Sequence, residues 1–298
     1  MHATHLLIPL PPAPDGAVLT PPPELTRLLG LMAPAGRLDT PEDSPALPHE
    51  LVVARHNGLN AEPGHTPWAA FETGTVGTPC AWITPCHWQV GAQYVALADP
   101  DTLALDPAAS EALMRAAEPY FAEDGITLHP TQPGAWLATG EVFRDLCTWS
   151  LGRATGRPIT PEMLQASTGH HPGLRRLQSE MQMLFYTHPT NDERLARGQL
   201  PVNAFWVSGA GALAQAHAPR PGLVVDGRLA TGDPHAAWAA IAADIASHWL
   251  PRAQAGEALQ LTLSGERAAQ TFATQPRSVW RRLRQALRQP DTTFLSTL

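Results

Sequence analysis

The chain contains no lysine; all 20 of its basic residues are arginine. That excludes Schiff-base catalysis, the lysine of a phosphate-binding P-loop and a serine–lysine dyad. Any cationic role falls to arginine, which is permanently charged and suited to bidentate grips on carboxylate or phosphate. Charge of either sign is sparse, at 16% of residues, and its balance is −7. The broad positive field needed for nucleic-acid binding is missing, so no nucleic-acid partner is expected. Cysteine is scarce too: Cys80, Cys86 and Cys147 make neither a disulfide framework nor a C-x-x-C metal knuckle, and reduced thiols are expected. No run of about 18 apolar residues occurs, and the start, Met1-His-Ala-Thr-His5, carries no charged leader. The expectation is a cytoplasmic protein without a membrane span.

What is present is enough to fold. The 298 residues, 44% of them apolar, support one large domain or two modest ones. The 31 prolines and 23 glycines imply many loops and sharply ended helices. His5–Leu10 reads as a buried strand. Leu25, Leu28, Leu29 and Met32 recur at helical spacing, and residues 34–48, rich in Pro, Gly and Asp, read as a surface loop. Residues 81–84 and 89–99 have strand composition and are expected to pair in the core sheet. Asp106-Pro107 and Asp233-Pro234 each offer an N-cap followed by Pro at the first helical position, the first helix ending at Pro119. Residues 125–129 and 135–138 suit a hairpin. Leu174, Leu177, Met181, Leu184 and Phe185 form one helical face, and Asn191 is placed to cap the next, short helix. Strands interleaved with helices predict an α/β fold with a mixed, partly parallel sheet flanked by helices.

The segment 188–211 carries Asn191, Arg194, Gly198, Pro201 and Asn203, then an apolar strand ending in Gly209-Ala-Gly211. In that order these residues resemble a stretch of the archaeal-type cofactor-independent phosphoglycerate mutases, members of the alkaline-phosphatase-like superfamily. The stretches 82–91, 121–129 and 180–183 also resemble a bacterial group labelled phosphoglycerate-mutase-like or RpfE-type regulatory proteins. The resemblance spans residues 81–211. It implies a reduced alkaline-phosphatase-like core built from residues 1–119 and 212–298, with residues 120–211 as a substrate-domain-like insert.

The superfamily implies two divalent metals, held by an aspartate after the first strand and a later Asp-x-x-Gly-His segment, because two metals together activate a nucleophile and neutralise phosphoryl oxygens. No Asp-x-x-Gly-His occurs in this sequence. The expectation is therefore a mutase-like protein without cofactor or two-metal centre, acting in regulation or binding a small phosphorylated or carboxylate metabolite. The alternative is an active mutase or phosphohydrolase with manganese or zinc on Asp15, Asp226, Asp233 and His235.

Candidate ligand contacts are Arg144, Asn191, Arg194 and Asn203, with Gly209 and Gly211 allowing close approach to backbone N–H groups. Against this stand structural roles: a cap for Asn191, a surface ion pair for Arg194, a loop tie for Asn203. His87 beside Cys86 raises a thiolate–imidazole pair, although adjacent residues rarely face one another. His129 is a candidate acid–base group in a cleft with Asp124, Glu141 and Arg144. Residues 277–288 read as a basic amphipathic helix able to contact a protein partner.

Overall fold

The computed structural model describes residues 4–11, 21–132, 134–168, 171–230, 233–274, 295, 297 and 298. The chain divides into two compact units, one formed by Met1–Asp43, Leu47–His56 and Pro219–Leu298, the other by Ser44–Ala46 and Asn57–Ala218. Asp15 and the basic segment 277–288 lie outside the described residues. No helix among the described residues is long and apolar enough to cross a membrane.

The first unit opens with β1 (His5–Pro9), α1 (Pro23–Leu29) and β2 (Met32–Asp39), and α2 (Pro48–Asn57) follows. The second unit holds α3 (Trp68–Thr73), β3 (Cys80–Cys86), β4 (Trp88–Val90), β5 (Val95–Leu97) and α4 (Pro107–Glu123). It continues with β6 (Thr127–Gln132), β7 (Ala135–Thr139), α5 (Leu151–Ala154), α6 (Pro161–Thr168), α7 (Pro172–Tyr186), α8 (Pro189–Ala196) and β8 (Ala204–Gly211). The chain then returns to the first unit through β9 (Leu223–Val225), α9 (Pro234–Asp244), a π-helical turn (Ile245–Trp249), α10 (Leu250–Ala255), β10 (Gln260–Ser264) and β11 (Ala268–Thr274).

The sheet of the first unit has the order β2-β11-β10-β1-β9. β1 runs parallel to both β10 and β9, whereas β11 is antiparallel to β10 and to β2. The fold is thus mixed α/β, with a partly parallel sheet flanked by helices. Every residue of β1 is buried, as a strand covered on both faces requires. Leu6 and Ile8 share a core with Leu25 and Leu28 of α1 and with Ile241, Ile245 and Trp249. The second unit is built on an antiparallel sheet, β6-β7-β3-β8. Leu113, Ala117 and Phe121 of α4 and Leu174, Leu177, Met181 and Phe185 of α7 pack with Ile83, Phe205 and Val207 of that sheet.

Four expectations change. Residues 32–39 form a strand, not the start of a loop: β2 is the edge of its sheet and meets β11 with a register shift at Thr271/Phe272, the setting in which Pro34 and Gly36 are tolerated. α4 continues through Pro119 to Glu123, because Phe121, two residues past the exposed proline, continues its buried face one turn on from Ala117. The expected boundary at 119/120 accordingly falls inside this helix and inside the second unit. Residues 88–90 and 95–97 pair with each other as a separate two-stranded ribbon, with isolated bridges from Ala96 to Pro158 and from Leu97 to Thr155, while β3 pairs with β7 and β8.

Candidate functional site

The segment that carries the family resemblance folds as α7, a two-residue link, α8, a seven-residue connection and β8. His188, not Asn191, is the N-cap of α8; its ring accepts a hydrogen bond from the Thr190 N–H at 3.2 Å, and Pro189 takes the first helical position. That start places Asn191 and Arg194 three residues apart on the inward face, where each is only 2% exposed.

Asn191 uses its whole amide on backbone. Nδ2 donates to the Phe185 carbonyl at 2.6 Å and to the Val202 carbonyl at 2.7 Å, and Oδ1 accepts from the Val202 N–H at 2.8 Å. Arg194 donates from Nε to the Leu200 carbonyl at 2.9 Å and from Nη2 to the Leu103 carbonyl, while its buried Nη1 has no hydrogen-bond partner among the described residues. Burial pulls the guanidinium below its ordinary pKa, and the nearby Asp106 charge opposes the shift. Neither the cap expected of Asn191 nor the surface ion pair expected of Arg194 is found.

Asn203 and His87 complete the pattern. Asn203 Oδ1 accepts from the Trp88 N–H at 2.6 Å, and its Nδ2 donates to the Trp88 carbonyl at 3.0 Å. His87 Nδ1 hydrogen-bonds the Pro201 carbonyl at 2.8 Å. The Asn203 N–H reaches the Cys86 carbonyl at 3.1 Å. The irregular backbone at 200–202, outside any strand or helix, therefore finds partners in three side chains that the sequence singles out as ligand contacts, Asn191, Arg194 and His87. The tie at Asn203 also explains why the chain leaves the sheet after Cys86 and starts a separate ribbon.

Gly209 and Gly211 face protein rather than open space. Both have left-handed φ, +61° and +145°, and a Cβ there would lie 2.9 Å from Trp68 Cβ and 2.8 Å from Pro67 Cβ respectively. The glycines let β8 pass directly against the start of α3.

The other candidates are dispersed. His129 Nε2 hydrogen-bonds Thr139 Oγ1 at 3.0 Å across the β6–β7 pair. Arg144 forms an exposed ion pair with Glu141, and Asp124 accepts from Arg176 at 3.2 Å. Asp124 and Glu141 line one open cavity of about 300 Å³ at the start of α7, together with His171 and Gly173, but His129 is not part of its lining. The expected four-residue cleft is not assembled. Burial pushes the Cys80 thiol up to about 11 and the Cys86 thiol far up, the opposite of what an activated thiolate needs.

In the first unit Asp226, just beyond β9, is gripped through both oxygens by Arg228, with Nε–Oδ1 at 2.8 Å and Nη2–Oδ2 at 2.5 Å. Arg228 holds the Asp226 carboxyl below the usual carboxylate range. The same Nη2 reaches Asp244 Oδ2 at 2.5 Å. Asp233 caps α9 through the His235 and Ala236 N–H groups, at 3.0 and 3.4 Å, and His235 is exposed. The oxygens of both aspartates are thus engaged, and among the described residues no group of three or more His, Cys, Asp and Glu is arranged to hold a metal ion. Asp226, Arg228, Asp244 and His248 instead rim an open cavity of about 380 Å³ floored by core side chains. The sequence reading missed Arg228, Asp244 and His248; the Asp-x-Arg spacing of 226–228 was the one local signal for them.

No family model matches the chain, and no curated protein matches it. Among solved structures it is similar to the PH0037 protein from Pyrococcus horikoshii, with 8% identity over 91% of this chain and 87% of that one and a TM-score of 0.41. It is also similar to the cofactor-independent phosphoglycerate mutase from Thermoplasma acidophilum, with 15% identity over 91% of this chain and 89% of that one and a TM-score of 0.35.

Proposed function

We propose that the protein is a phosphoglycerate-mutase-like binding protein with a regulatory role in the cytoplasm, of the kind the RpfE-type resemblance implies, and that it carries out no two-metal phosphoryl transfer. The observation that supports this most is the state of Asp226. Metal ligation needs free carboxylate lone pairs converging on one point, and both Asp226 oxygens already face a guanidinium at 2.5 and 2.8 Å. A divalent ion there would have to displace a fixed cation. The free thiols Cys80, Cys86 and Cys147 agree with a reducing compartment.

The reading is tested on the purified full-length protein by elemental analysis and by an assay of 2- and 3-phosphoglycerate interconversion with added manganese or zinc. The expected result is no stoichiometric metal and no turnover. Two retained metal equivalents with turnover would establish the alternative, an active mutase or phosphohydrolase.

A further inference from the structure

We infer that the cavity between β9 and the π-helical turn is a binding site for a small organic cation, an alkylammonium or alkylguanidinium group on an apolar stem. This goes beyond the function proposed above, which names no site.

Charge sets the ligand class. Among the described residues two carboxylates, Asp226 and Asp244, share Arg228, which leaves one negative charge uncompensated there. That charge is localised. Asp226 has both oxygens bonded, whereas Asp244 receives Arg228 only on Oδ2, and its Oδ1 has no hydrogen-bond partner among the described residues. The Asp244 side chain is half exposed, so Oδ1 can accept a donor from a ligand without any rearrangement of the core. A cation at this oxygen restores neutrality, and its ammonium or guanidinium N–H groups supply the charge-assisted bond.

Shape sets the stem. Leu6, Ile241, Ile245 and Trp249 line the same cavity and belong to the buried core, so its floor is apolar. Val224 and Val225 of the sheet edge are 43% and 45% exposed beside it. A volume of about 380 Å³ falls in the range of small-molecule sites, in which apolar walls hold the body of the ligand and a few polar groups orient it. The five-residue π-helical turn interrupts an otherwise continuous helical run from α9 to α10 and lies along this cavity. Such turns are rare, and they are frequent at functional sites.

Calorimetric titration of the whole protein with n-butylguanidinium tests the inference, with n-butanol as the uncharged stem and Asp244→Asn as the variant. Saturable 1:1 binding on the order of 1 mM, at least tenfold weaker for Asp244→Asn and absent for n-butanol, is expected. A capped Val-Arg-Val peptide is titrated in parallel. Tighter binding of the peptide would place the cation on a protein side chain, and tighter binding of the free compound would place it on a metabolite; either supports the site. No saturable binding of either probe, or equal binding by Asp244→Asn, overturns it. Because Asp244 is half exposed, its amide variant keeps the fold, and an unchanged unfolding transition verifies this. Metal-dependent turnover would sink the proposed function while leaving this titration interpretable.

Discussion

Replacing Asn191 with alanine lowers the stability of the second unit by about 3 kcal/mol or more, because three buried backbone groups lose their partners and each orphaned group costs about 1–3 kcal/mol. The groups are the Phe185 carbonyl and the Val202 carbonyl and N–H, and at 2% exposure water does not reach the site to replace them. Asn191→Asp is expected to fare no better. It keeps an acceptor for the Val202 N–H but turns a second acceptor toward two carbonyls. Urea unfolding measures both. A ligand-contacting asparagine would behave differently: its alanine variant would lose binding and keep its unfolding midpoint, so a midpoint shift worth less than about 0.5 kcal/mol contradicts the structural role.

Acid weakens the first unit through two histidines that are neutral in the fold. Burial lowers His5 to about 4, with the nearby His56 adding to the effect, and burial lowers His49 to about 4. Against an ordinary value of 6.5, the unfolded chain takes up protons between pH 6.5 and 4 that the folded chain refuses. Stability is therefore complete above about pH 6.5, falls as pH drops toward 4, and levels off once the folded state also protonates. Each group loses up to roughly 3 kcal/mol over that window, at about 1.36 kcal/mol per pH unit. His5 sits in the interior strand β1, between β10 and β9, with Nε2 hydrogen-bonded to Thr262 Oγ1 at 2.8 Å, and Thr262 in turn bonds Thr271. In His5→Gln, which can keep the contact to Thr262 but cannot titrate, the slope of unfolding free energy against pH between 6.5 and 4 should fall by about half. An unchanged slope would show that His5 is not the group responsible.

How much of this was legible beforehand depends on the range of the interactions. Asp106-Pro107 and Asp233-Pro234 start helices as read, since a cap and the proline beside it act within four residues. The hairpin of β6 and β7, the apolar face of α7 and the buried strand β1 were likewise readable, each from a local pattern. β2 was not, because a strand at a sheet edge can contain Pro34 and Gly36 and its partner β11 lies more than 200 residues away. Pro119 reads as a helix stop in the sequence, yet burial of Phe121 carries α4 past it.

The motif 191–211 shows the same division more sharply. Its residues were identifiable, but their task was not, since that depends on which backbone lies opposite. Arg194 meets the carbonyl of Leu103, 91 positions earlier, and Asn203 meets Trp88, 115 positions earlier. Local sequence places Asn191 equally well as a cap, and only the position of His188 at the helix start moves it inside. Asp226 reads as an available ligand in the sequence, whereas in the fold Arg228, two residues on, closes around it.

The central claim is that the motif 191–211 holds the chain's own backbone, and the Val202 amide tests it most directly. Native-state hydrogen exchange of that N–H, bonded to Asn191 Oδ1 at 2.8 Å inside the second unit, should be protected in the wild-type protein to nearly the level of β8, with the protection lost in Asn191→Ala. Free exchange of Val202 in the wild type, or equal protection in the variant, would contradict the account.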